Sequence, residues 1–262
     1  EANLHLSQDI TNAVNQVGKT EKSPLGRQIL HQLQENMEIA AADQIPICQD
    51  TGMAVVFLEI GQEVHIEGAA VEDAVNEGIR RGYTEGYLRK SVVRDPIGRQ
   101  NTNDNTPGII HYKIIPGSQL TITVAPKGFG SENMSKIHML KPADGIEGVK
   151  AAILNTVREA GPNACPPMVV GVGIGGDFEK CALLAKEALT RPVNQCSEIA
   201  YVKELEAEML EKINAMGIGP GGLGGTTTAL GVNINVYPTH IAGLPVAVNI
   251  CCHVARHVTR VL

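Results

Sequence analysis

Short apolar runs closed off by glycine or proline alternate along this chain with segments of helical period, and that interleaving limits the folds open to it. Met53–Ile60, held between Gly52 and Gly61, has the length of a buried strand. Met168–Val172 reads as another, leading through glycines into a helix over Phe178–Leu189. Near the end, Val232, Ile234 and Val236, then Val246, Val248 and Ile250, alternate as strand residues do. Ile109–Ile115 and Gln119–Val124, separated by Pro116-Gly117-Ser118, predict a β-hairpin.

Between these runs the apolar spacing turns helical. Leu6, Ile10, Ala13, Val14 and Val17 predict a helix within Leu4–Val17, and a second runs from Pro24 through Met37 to Ala41. Val71–Tyr83, Asp144–Ala160 and the charged segment Ile199–Met216 follow the same period, while the glycine-rich stretch Gly217–Gly225 is loop. The expected fold class is therefore α/β, bordering on α+β: a mixed β-sheet with flanking helices and a helical N-terminus. No linker or repeat divides the sequence, so 1–262 is read as a single domain.

Composition removes several classes of function. A formal charge of −6 argues against a nucleic-acid partner, which needs a basic face, and no apolar run nears the roughly 18–20 residues of a membrane span. Hydrophobic residues make up 43% of the chain but include only three Phe, five Tyr and no Trp, so the core must come from aliphatic side chains. The opening Glu1-Ala2-Asn3-Leu4 lacks a signal-peptide layout. A reducing, cytoplasmic setting is expected, in which six cysteines stay thiols.

Three of those thiols stand in turns among polar residues: Cys48 in Pro46-Ile47-Cys48-Gln49-Asp50-Thr51-Gly52, Cys165 before Pro166-Pro167, and Cys252 before His253. They are far apart in sequence, unlike the tight pairs of zinc ribbons or ferredoxins. Three distant thiolates suit an iron–sulfur cluster with one iron lacking a protein ligand, which can act as a Lewis acid. Cys181 instead falls in register with the apolar face of its helix and reads as core. Cys251 and Cys252 are adjacent in an extended segment and should point to opposite sides.

Other motifs carry both a plain and a chemical reading. Gly171-Val172-Gly173-Ile174-Gly175-Gly176 satisfies G-x-G-x-x-G, the fingerprint of a nicotinamide-dependent oxidoreductase, or else forms a tight turn whose amides face an anion. Asp50-Thr51-Gly52 suits a turn, and Lys127 to Asn133 a loop and cap, unless Gly128, Ser131 and Asn133 line a polar pocket. Arg89 is a solvated cation or a carboxylate clamp. His240 is structural or catalytic.

Taken together, Cys48 to Gly52, Leu88 to Val93, Asn101 to Pro107, Lys127 to Ser135, Cys165 to Gly176, Pro238-Thr239-His240 and Cys252 to His257 resemble the cluster-binding part of the class I (iron–sulfur) fumarate hydratases. The same module serves as the alpha subunit of two-chain fumarases and tartrate dehydratases. Phe129 and Asn103 depart from the family pattern, each standing in place of a glycine. The resemblance implies a [4Fe–4S] cluster on Cys48, Cys165 and Cys252, with Gln49, Asp50, Arg89 and His240 facing a small dicarboxylate. Asp50 and His240 would orient groups or handle protons. One-chain members carry a second domain with the catalytic base. A sequence stopping at Leu262 therefore implies an alpha subunit working with a separate beta subunit in a hetero-oligomer. The implied reaction is reversible hydration of fumarate to malate, with L-tartrate dehydration as the alternative.

Overall fold

The computed structural model describes residues 1–262, with helices and strands in the interleaved order of an α/β chain. Its strands form two four-stranded mixed sheets where one was expected. The chain divides into two compact units, one made of Glu1–His5, Ile39–Phe129 and Arg256–Leu262, the other of Leu6–Glu38 and Gly130–Ala255.

In the first unit, β1 (Met53–Gly61) runs parallel to β2 (Ile109–Ile115) and antiparallel to β3 (Leu120–Lys127). The last strand of the chain, Val258–Val261, extends the sheet beyond β3. The expected hairpin is corrected here: β2 and β3 do not pair, because the more apolar β1 lies between them and fills both their ladders. Their connecting turn instead closes around the end of β1, with Gly61 N donating to Gln119 O at 2.8 Å and Glu63 N to Gly117 O at 3.0 Å. A helix over Val71–Glu85 covers one face, setting Ile79 and Tyr83 on Ala54, Val56 and Leu58. The alternate residues carry polar pairs, among them Glu59 with Lys113 and Thr123 with Thr259.

The second unit is layered on both sides of its sheet. The strand order is β4 (Lys136–Leu140), β7 (Leu244–Cys251), β5 (Met168–Gly176) and β6 (Ala229–Thr239), with only β5 and β6 parallel. Helices α5 (Gly145–Ala160) and α7 (Ala200–Asn214) pack Ile153, Val157, Met209 and Ile213 against Val170, Val172, Ile234 and Val248. On the other face lie α6 (Phe178–Ala188) and α1 (Gln8–Thr20) with the start of α2 (Pro24–Asp43), which bring Ile10, Val14 and Leu30 to Val169, Leu230 and Cys251. The first helix starts at Gln8, later than its apolar spacing predicts, because Ser7 before it is extended (φ −61, ψ 152) while Leu6 still packs on the same core. No helix is long and apolar enough to cross a membrane.

This packing explains the G-x-G-x-x-G run. All six residues belong to β5, and α6 presses directly on the first two glycines. A Cβ on Gly171 would stand 2.2 Å from Ala185 O, and one on Gly173 2.0 Å from Cys181 O. Only glycine allows so close a helix. Helix–strand contact thus accounts for the first two glycines of the motif.

Glu21, between α1 and α2, is 2% exposed and meets no cation through its carboxylate. Its oxygens accept from Ser23 N at 2.8 Å, Thr226 N at 2.9 and 3.0 Å, and Thr226 Oγ1 at 3.1 Å, fastening the glycine-rich loop to the helical N-terminus. Burial alone would raise this carboxyl, but the donated hydrogen bonds outweigh it and lower it to about 2 from an ordinary 4.5. The stabilisation is therefore complete above the ordinary value and is lost as pH falls through the folded value. Glu21→Gln is expected to cost roughly 2–3 kcal/mol near pH 7, in the range of a buried charged hydrogen-bond network. Denaturant melts of the two proteins should differ by this amount at pH 7, and the gap should narrow steadily between pH 5 and 2.

Candidate active site

The Cys48–Gly52 turn lies just before β1 in the first unit, and its main chain is held from several sides. Ile47 N donates to Asn3 O at 2.9 Å, and Asn3 Nδ2 to Thr51 O at 3.2 Å. The Tyr83 hydroxyl reaches Thr51 O and Gly52 O at 2.9 and 3.0 Å from the helix beneath. Burial first, with Asp50 adding a smaller push, raises this phenol to about 12, although Arg256 and Asn3 work against the shift. It thus stays a donor at any physiological pH. Asn105, fully buried, donates to Gly52 O at 3.1 Å and accepts from Ser91 N at 2.7 Å, while Thr51 Oγ1 donates to Arg89 O at 3.1 Å. Gly52 has φ +81, and a Cβ there would meet Lys127 N at 2.8 Å.

Within this turn the Cys48 thiol is half-buried and lies 3.6 Å from Gln49 Oε1. Gln49 and Arg89 are exposed at their side chains. Asp50 is used as a clasp: Oδ1 accepts from Gly52 N at 3.0 Å and Oδ2 from Phe129 N at 2.9 Å. The carboxylate thereby joins the turn to the loop through Gly128, whose Cβ position would lie 3.1 Å from Asp50 Oδ2. The neighbouring segment Asn101 to Pro107 has its own clasp. Asp104 accepts from Thr106 N at 3.0 Å, Thr106 Oγ1 at 2.8 Å and Arg80 Nε at 3.0 Å, and these bonds, the main-chain one foremost, hold it far below the usual carboxylate range. Asn103 takes φ +68, a left-handed conformation that asparagine tolerates.

In the second unit, Cys165 ends a tight turn over Gly161–Ala164 in a left-handed conformation with φ +51, and its side chain is exposed. Its carbonyl accepts from His253 twice, from N at 3.4 Å and Nδ1 at 3.0 Å. A carbonyl can only accept, so His253 carries its proton on Nδ1. Cys252 directly precedes His253, so the segments bearing Cys165 and Cys252 are tied together. Strand β7 ends at Cys251, which is 6% exposed, whereas Cys252 is half-buried, as the expected opposite directions require. Cys181 is fully buried among Ala185 and Ala247, and burial raises its thiol above its ordinary value.

His240 is exposed just beyond β6. Its Nδ1 accepts from Ala242 N at 3.2 Å, which leaves Nε2 to carry the proton of the neutral ring. Ser131 is 4% exposed inside a short helix over Phe129–Glu132, and Asn133 is exposed after it. Glu132 anchors this helix by pairing with Lys186 of α6 and accepting from Asn249 Nδ2 at 2.8 Å. Asn249 also donates to Ser135 Oγ at 2.7 Å, two residues before the end of β7. Sequence reasoning passed over Asn3, Tyr83, Asn105, Glu132, Asn249 and Arg256. Their partners are mostly main-chain atoms brought close by folding, for which no local pattern signals.

A profile of the fumarate hydratase (fumerase) family matches residues 1–261. The chain belongs to that family. A Methanocaldococcus jannaschii protein provisionally named L(+)-tartrate dehydratase subunit alpha is 42% identical over 262 residues, covering 98% of this chain and 92% of its own length. The L(+)-tartrate dehydratase subunit alpha of Escherichia coli strain K12 is 30% identical over 258 residues, covering 97% and 84%. The protein of that name from Shigella sonnei gives the same values.

Thiol exposure yields a direct check. In the native, iron-free chain, Cys48, Cys165, Cys196 and Cys252 are expected to label with a small alkylating agent, and Cys181 and Cys251 only on unfolding. Peptide mapping by mass spectrometry reads the result, and native-rate labelling of Cys181 would contradict this assignment.

Proposed function

We propose that this chain is the alpha subunit of an iron–sulfur hydro-lyase that reversibly hydrates fumarate to malate, working with a separate beta chain in a hetero-oligomer. The observation carrying the reading is where the thiols stand. The three cysteines that the resemblance implies as ligands lie in accessible or half-accessible turns, while Cys181 and Cys251 are sealed in the core. Thiols so placed fit a group that needs deprotonated sulfur and an approach from solvent.

Cys48, Cys165 and Cys252 would hold a [4Fe–4S] cluster, and when bound it supplies Lewis acidity at the one iron without a protein ligand. The remaining steps belong to side chains of the chain itself. Arg89, exposed and carrying a planar fork of donors, suits a substrate carboxylate. Gln49 offers an amide beside Cys48, and Asn133 another just after the short helix that carries Ser131 and follows Gly128. Asp50, with both oxygens accepting main-chain N–H groups, orients that loop and keeps its charge near the reacting groups. His240, with Nδ1 occupied as an acceptor, presents Nε2–H as a donor able to give or relay a proton. The base that removes the carbon-bound proton is assigned to the beta chain. A cytoplasmic setting suits reduced thiols.

The names of the relatives favour a second substrate, L(+)-tartrate, for the same chemistry. Both are four-carbon dicarboxylates that differ in hydroxyl number, so one site and one mechanism serve either. The oxidoreductase reading loses its support, since Gly171 and Gly173 are accounted for by the approach of α6.

Anaerobic reconstitution with iron and sulfide tests the reading. A broad visible thiolate-to-iron absorbance is expected, abolished in Cys48→Ala, Cys165→Ala and Cys252→Ala and retained in Cys181→Ala. With the beta chain added, turnover of fumarate or L(+)-tartrate should fall at least about 100-fold in each of the first three variants. Retention of absorbance and activity in any of the three would refute the ligand set.

A further inference from the structure

Arg256 is 6% exposed, and no carboxylate pairs with it. Its Nε donates to Pro126 O at 3.2 Å and its Nη2 to Asp50 O, while Nη1 is buried without a hydrogen-bond partner. Taking a cation out of water and giving it only carbonyls is costly. A methionine of similar volume would avoid that cost, so something other than packing accounts for the guanidinium.

The two carbonyls it bridges supply the reason. One belongs to Asp50 in the Cys48–Gly52 turn, the other to Pro126 at the end of β3, where the chain enters the Gly128 loop. The Asp50 carboxylate already joins the same two segments through Gly52 N and Phe129 N. Asp50 is therefore gripped at both ends, its carboxylate by two amides and its carbonyl by Arg256. A planar fork reaches two acceptors at fixed separation, which a single ammonium nitrogen does not.

We propose that Arg256 is a positioning residue: its fork sets the Cys48–Gly52 turn against the Pro126–Phe129 loop and so fixes the direction in which Cys48, Gln49 and Asp50 are presented. The geometric part stands on the contacts alone. The consequence for turnover rests on the function proposed above.

Hydrogen exchange on the full chain tests the geometric part, comparing wild type with Arg256→Lys and Arg256→Gln. The Gly52 and Phe129 amides are expected to exchange about tenfold faster or more in both variants, with the β5 and β7 amides unchanged. Because the fork and not the charge is at issue, Arg256→Lys should resemble Arg256→Gln. Wild-type exchange in Arg256→Lys, or acceleration spread evenly over both sheets, would overturn the proposal. If neither variant folds, the wild-type chain still decides: one shared fastening requires Gly52 and Phe129 to open together with matching protection, and independent opening refutes it.

In the reconstituted enzyme with its beta chain, Arg256→Lys is expected to lower kcat about 10- to 100-fold, with KM within about threefold, as displaced reacting groups do. Accelerated exchange with an unchanged kcat would overturn the catalytic consequence. The expected exchange result in a wild-type chain inactive on every dicarboxylate tried would sink the functional reading and leave the positioning role intact.

Discussion

Helix α6 lies on strand β5 at a distance that only hydrogen side chains permit, and the arrangement of the second unit follows from it. With Gly171 and Gly173 under the helix, Cys181 and Ala185 reach the strand backbone and meet Ala247 of the neighbouring strand. The tight layer leaves β5 buried on both faces, with α5 and α7 closing the other side. Strand β7 runs antiparallel beside β5 along the same register, so its end at Cys251 is fixed by the central strand. The glycine run therefore does its work through packing, and the position of the Cys252 segment is one result.

In both units the turns that bear candidate ligands are fastened largely by polar groups from outside them, joined in the first unit by the turn's own Asp50 and Thr51 side chains. Tyr83, Asn105, Asn3 and Arg256 all address carbonyls in the Cys48–Gly52 turn. His253 addresses the carbonyl of Cys165. A turn whose main chain is satisfied from beneath can leave its thiol and amide side chains facing outward, because they are not needed for cohesion. That division lets reactive groups stay accessible in a structure held by others.

Much of the fold could be read from the chain because its signals are local. The periodicity of Ile10, Val14 and Leu30 and the apolar run of β1 depend only on neighbours in sequence. The pairing of β2 and β3 was misread because strand order is a tertiary property. Nothing within Ile109–Val124 reports that β1 will lie between them. Glu206 shows the same limit: α7 looks like a solvated, charged helix, yet this residue is 6% exposed, pairs with Arg191 and accepts from Ile234 N at 2.8 Å. At the site, Cys181 was legible as core from helical register alone. Cys48, Cys165 and Cys252 stood out only as a family pattern. Arg256 sat inside a recognised segment, but its role depends on two carbonyls more than a hundred residues away.

The first unit is assembled from three separated stretches, and its final piece brings both the last strand and Arg256. During synthesis from the N-terminus, the Cys48 turn leaves the ribosome long before the strand and guanidinium that complete its surroundings. Its sheet must wait, with one edge of β3 open, until residues 256–262 arrive. The nascent chain thus carries an exposed ladder while the stretch between β3 and Arg256 is made, a window in which chaperones or premature strand pairing would compete for the same edge.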